Sequence, residues 1–154
     1  MVTSTVVLMM SGALFLFYLQ TICEKALKRE FSRPYFLEVS HAIQLEFPQL
    51  QEALAEGASP EYAQMQLALQ SDFFTLRYLL KNADPSHRRL SRGERLVVLY
   101  FRFQLFSLAV RHALNLQENQ AVQRLTTALQ FFANSVGEKL ATDLVAGAQA
   151  NPDA

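Results

Sequence analysis

Tryptophan is absent, cysteine occurs once, and glycine and proline number five each in 154 residues. The lone Cys23 excludes an intramolecular disulfide framework and any zinc site needing two or more thiolates. So little Gly and Pro excludes collagen-like repeats and low-complexity disorder. Charge is thin too: 18% of residues are Asp, Glu, Lys or Arg, and fourteen bases cancel fourteen acids. A chain of zero net charge lacks the overall basicity of a nucleic-acid binder, so nucleic acid is not expected as a partner.

Motifs that name a reaction are missing as well. There is no G-x-x-x-x-G-K, no G-x-G-x-x-G, no H-E-x-x-H and no C-x-x-C-H. Glu38 and His41 have the E-x-x-H spacing of di-iron bundles. Such a site needs a second copy and two bridging carboxylates from other helices, and the sequence offers no second copy. The expectation is therefore a non-enzymatic protein without catalytic, cofactor-binding or metal-ligating residues.

What the chain has instead is apolar surface: 51% hydrophobic residues, twelve of them Phe. Residues 2–23 carry no charged side chain. As a helix this run reaches about 33 Å, against a hydrocarbon core of about 30 Å. No Lys or Arg precedes it and no small-residue cleavage site follows, so a membrane anchor is expected in preference to a signal peptide. Tyr18 falls where an interfacial aromatic would sit, and Lys25, Lys28, Arg29 and Arg33 follow on the C-terminal side only. The positive-inside rule then puts the N-terminus outside and the rest in the cytoplasm, with those cations against anionic head groups.

Beyond the span every segment reads as helix. The expected division is a transmembrane helix with its basic flank over 1–33, a helical bundle over 34–146, and a frayed tail over 147–154. Ser59-Pro60-Glu61 signals a helix start, and Tyr62, Met65, Leu69, Phe73, Leu76 and Leu80 form the stripe behind it. Ser91 and Glu94 have capping-box spacing. Val122, Leu125, Leu129, Phe132, Val136 and Leu140 mark the inner face of a last helix, which Gly137 is expected to weaken. Between them, residues 96–110 hold one charge, Arg102, and are apolar on nearly every side, which predicts the centre of the bundle. The fold class is thus all-α: one N-terminal transmembrane helix, then a small cytoplasmic bundle of about five helices.

An antiparallel hairpin of the two helices flanking His87 pairs residues whose numbers total about 174. That register sets Phe73 opposite Phe101 and Asp72 opposite Arg102, predicting a buried structural ion pair. Charge is segregated along the chain. Residues 34–76 hold six acids and no Lys or Arg, while residues 77–111 hold eight bases against two acids. Such opposed patches suit docking to a partner or self-association, or else pairing within the domain. The loop with Arg88, Arg89, Arg92 and Arg95 could hold lipid phosphates or an acidic partner. The favoured function is a membrane-anchored interaction protein, an accessory or scaffolding subunit that partners the bilayer and other membrane-complex subunits. The alternative is a cytoplasmic-face sensor that reads anionic lipid or a phosphorylated ligand through the arginine loop.

Overall fold

Among the described residues there are six helices: α1 (Val2–Leu27), α2 (Phe36–Ile43), α3 (Phe47–Ala55), α4 (Tyr62–Asn82), α5 (Arg92–Ala113) and α6 (Asn119–Ala150). The structure, a computed structural model, describes residues 1–31, 33–83 and 89–150. No strand occurs among the described residues.

Local chemistry sets most boundaries. Pro48 occupies the first turn of α3, where its missing N–H has no helical partner to lose. Gly57, at φ +79°, turns the chain after that helix. Glu61 caps α4, so Ser59 and Pro60 stand just ahead of the helix rather than in its first turn. Ser91 and Glu94 close a full capping box: Glu94 N–H donates to Ser91 Oγ at 3.2 Å, and Ser91 N–H donates to Glu94 Oε2 at 2.7 Å. Asn115 takes a left-handed φ of 52° in the α5–α6 turn, a conformation Asn tolerates better than most residues.

The two short helices, α2 and α3, have no side-chain cap of their own. Their N-termini are satisfied from a distance. Asn134 of α6 accepts the Phe36 amide at 2.8 Å, and Asp72 of α4 accepts the amides of Glu46 and Phe47 at 2.9 and 2.6 Å. Each bond removes an orphan donor at a helix start and fixes a short helix to a long one.

The central helix is α6, not the α5 segment expected from the apolar run. Residues 131–137 of α6 are buried without a break, and α6 packs against all five other helices. Ala128, Ala133 and Gly137 keep it slim enough to be covered on several sides. The expected stripe on α4 is buried as read, with Tyr62 partly so; on α6 only Leu140 departs, being 46% exposed. α6 also runs helical to Ala150, into the segment expected to fray.

Gly137 makes room for a neighbouring side chain. A Cβ built there would overlap the Tyr35 side chain at its Cβ and Cγ, the part of a tyrosine least able to move aside. Gly147, further along α6, has nothing within 4 Å. Gly137→Ala is therefore expected to lose about 1–3 kcal/mol to overpacking. Gly147→Ala is expected to be neutral or to gain up to about 1 kcal/mol from helix propensity. Urea unfolding of the two variants checks this opposition in sign.

Candidate functional site

Helix α1 divides into two parts with different surroundings. Every residue from 2 to 18 is exposed, although the segment is almost wholly apolar. The stripe Leu19, Cys23, Ala26 and Leu27, in contrast, packs onto the bundle core. Cys23 is fully buried, and its Sγ–H points to the Leu96 carbonyl of α5 at 3.6 Å. The Gln20 amide lies against α6, its end 2.9 and 3.2 Å from the two terminal guanidinium nitrogens of Arg124. The last turn and a half of the uncharged run is thus a docking segment of the bundle. The freely exposed apolar part is shorter, about 26 Å as a helix.

The cations flanking α1 are not equivalent. Lys25, Lys28 and Arg33 are exposed, and so is the interfacial Tyr18. Arg29 turns back instead: it forms an ion pair with Glu138 at 3.1 Å and lies over the Phe31 ring at 5.4 Å. Phe31 in turn meets Phe131 edge-on at 5.5 Å. Of the arginine loop, Arg88 lies outside the described residues. Arg89 and Arg92 are exposed, and Arg95 donates its Nε–H to the Leu90 carbonyl at 3.1 Å.

The antiparallel register of α4 and α5 is confirmed by two aromatic pairs. Tyr62 stacks on His112 at 3.8 Å and Phe73 on Phe101 at 4.2 Å, both on the predicted total. The predicted pair of Asp72 and Arg102 does not form. Successive helical residues point about 100° apart, so once Phe73 and Phe101 face each other their neighbours in sequence cannot. Asp72 turns toward α3, whose first two amides it holds, and Arg102 turns outward and is exposed.

Ion pairs among the described residues are short-range or run to α6. Lys139 meets the buried Glu94 at 3.0 Å and His112 meets Glu118 at 2.7 Å. None among the described residues joins the acidic block 34–76 to the basic block 77–111. Apart from the buried Asp72 and Glu94, the described charged residues of the two blocks are exposed or half-buried.

Hollows offer little chemistry. A groove of about 770 Å³ between α2, α3 and α4 contains His41 and Glu46, with Gln64 and Met65 on its far wall. A smaller one of about 270 Å³ lies at Arg29, Glu94, Glu138 and Lys139, whose charges pair off locally. Ser135 lines it too, and its Oγ is buried without a partner. Glu38 and His41 are both exposed on α2. Among the described residues no three His, Cys, Asp or Glu side chains gather as a metal-ligand set.

The residues that stand out were not marked as a site by the sequence reading. On α4, Leu67, Phe74 and Tyr78 are 71%, 62% and 69% exposed, with Arg77 and Lys81 beside them. On α5, Leu99, Phe106 and Val110 are exposed. Their spacings of seven and four residues are those of a helical stripe. The signal was present in sequence as a second stripe on helices that already had an inner one.

Asp72 has a strongly perturbed carboxyl. Burial pushes its carboxyl up to about 6; the Phe47 and Glu46 amides oppose the rise, and the neighbouring Glu46 carboxylate adds to it. The folded state therefore binds this proton more tightly than the unfolded state, whose Asp titrates near pH 4. The stabilisation is fully present below about pH 4 and is lost as pH rises through about 6, a change of about 3 kcal/mol. Asp72→Asn keeps an acceptor for the two amides without the charge and should abolish this dependence. Asp72→Ala should cost about 1–3 kcal/mol by stranding both amides. Denaturant melts of the three proteins between pH 4 and 7 give the comparison. Comparison with protein-family models, with curated proteins and with solved structures finds no match to this chain.

Proposed function

We propose that this protein is a non-enzymatic, single-span membrane-anchored helical interaction protein, an accessory or scaffolding subunit of a larger membrane complex. One observation carries the reading: α1 projects beyond the bundle ahead of Leu19 and presents an uncharged, apolar helix to its surroundings along residues 2–18. The rest of the chain builds its core without that segment. A helix of this length and composition suits the hydrocarbon of a bilayer. Lys25, Lys28 and Arg33, exposed on one side of it only, favour a cytoplasmic bundle and an outside N-terminus.

The interaction half of the proposal rests on α4. Its outer face sets Leu67, Phe74 and Tyr78 in one exposed row, and exposed aromatics of this kind are what interfaces bury at their centres. Acidic and basic blocks that form no ion pair with one another among the described residues supply complementary charge for orienting a partner.

Two measurements test these halves. Sodium carbonate extraction should leave the full chain in the membrane fraction. Leu8→Arg with Phe15→Arg, costing about 2.5–3.5 kcal/mol per central arginine, should move it to the soluble fraction. Extraction in mild detergent, followed by sizing and mass spectrometry, should show companions at fixed stoichiometry. Phe74→Glu with Tyr78→Glu should remove them while the far-ultraviolet circular dichroism stays unchanged. A bare chain of 17.4 kDa from the native membrane would overturn the subunit reading.

A further inference from the structure

Contacts between the long helices fix the sense in which each one runs. Gln20 meets Arg124, and Arg29, just past the end of α1, meets Glu138, so α1 and α6 run the same way. Glu94 against Lys139, and Arg111 donating to the Gln117 carbonyl, set α5 opposite to both. The stacked pairs Tyr62–His112 and Phe73–Phe101 return α4 to the sense of α1. The bundle therefore has two unlike ends. One holds the start of α4 and the α5–α6 turn, and it is the end from which residues 2–18 project. The other holds the start of α5 with the exposed Arg92. Along α5 the two ends stand about 33 Å apart.

The α5–α6 turn reaches the level of the projecting segment. On α6, Asn119 precedes Arg124 by about 8 Å. The same step taken back from Gln20 along α1 arrives at Phe15, inside the exposed apolar stretch. The chemistry of the turn suits a place with little water. Asn115 and Leu116 close a Schellman motif: the Leu116 amide donates to the Arg111 carbonyl at 2.9 Å and the Asn115 amide to the His112 carbonyl at 3.1 Å. Carbonyls at the end of α5 that would otherwise draw water thus have partners inside the turn. Its charged side chains are occupied as well. Arg111 donates to the Gln117 carbonyl at 3.1 Å, and His112 meets Glu118 at 2.7 Å while its ring stacks on Tyr62. Leu114 and Leu116 are left at the tip, 63% and 55% exposed.

We infer that the α5–α6 turn is seated in the interface of the bilayer in which α1 stands, with Leu114 and Leu116 against the upper acyl chains and the long helices of the bundle upright. The inference rests on the anchor reading of α1 and deepens it by naming the end of the bundle that meets lipid. It carries Arg92 to the far end, several Debye lengths from the head groups at physiological salt. It also turns the exposed row of α4 sideways along the membrane, where a neighbouring subunit would stand.

The test uses the full chain reconstituted into phosphatidylcholine vesicles with the bundle outward. Single cysteines at Leu116→Cys, Arg92→Cys and Phe15→Cys carry an environment-sensitive fluorophore; the native Cys23 is buried. All three replaced side chains are exposed, and circular dichroism checks that each variant keeps its helix content. The label at 116 should lose fluorescence with phosphatidylcholine brominated high on the acyl chain and resist aqueous iodide, with the label at 92 behaving in reverse. If 116 yields to iodide and not to brominated lipid while 15 responds to brominated lipid, the inference is overturned and the anchor stands. Quenching of 92 by brominated lipid would show a bundle inverted or lying flat, and would overturn it too. If 15 ignores brominated lipid, the anchor reading fails and the inference with it. Shielding of 116 from both quenchers would assign the tip to protein and equally overturn the proposal.

Discussion

Everything in this fold leans on one helix being covered from many sides. A helix with a single apolar stripe can serve one or two neighbours; α6 serves all of the others, so its cross-section has to be small wherever a neighbour arrives. Ala128, Ala133 and Gly137 supply that narrowness, and the contact of Gly137 with Tyr35 is the tightest instance. Close approach brings dispersion contacts along the whole length of the helix. It also brings polar atoms inside, and these have to be matched. Asn134 is matched by the start of α2.

The capping of α2 and α3 extends that logic. Helices of eight and nine residues are too short to persist on propensity alone. Here their first amides are held by side chains of α6 and α4, so the short helices exist because the long ones are already packed. The stability of α2 and α3 is thereby coupled to the packing of α4 and α6. The cost is visible at Asp72, a carboxylate kept out of water by the same packing that makes it useful as a cap.

Features governed by near neighbours in sequence were legible: the capping box of Ser91 and Glu94, the inner stripes of α4 and α6, and the register that pairs Tyr62 with His112. Features governed by a third helix were not. The hairpin alone points Asp72 to Arg102, whereas the azimuth that turns Asp72 to α3 is set by Phe73 stacking on Phe101. The identity of the central helix was misread for a related reason. A run of large apolar residues on α5 looks more buried than a run of small ones on α6, yet only small residues let several helices converge. The apolar residues of α5 are divided between core and surface: Val97, Tyr100, Phe101 and Leu108 are buried, while Leu99, Phe106 and Val110 are exposed. As for the surfaces now singled out, Leu67, Phe74 and Tyr78 were visible as apolar residues in excess of what one stripe could use, but nothing local showed which of them the fold would leave outside.

The junction between α1 and the bundle has a mechanical meaning. Because the helix enters the core without a break, through Leu19, Cys23, Ala26 and Leu27, no hinge separates the exposed segment from the folded one. The exposed segment is a handle of about 26 Å rigidly fixed to its load. A few degrees of tilt at its far end become a rotation of the whole bundle, and a push on the bundle becomes a torque on the handle. Whatever medium grips residues 2–18 therefore dictates the direction in which α4 presents its aromatic row, as a key's bit follows its shaft.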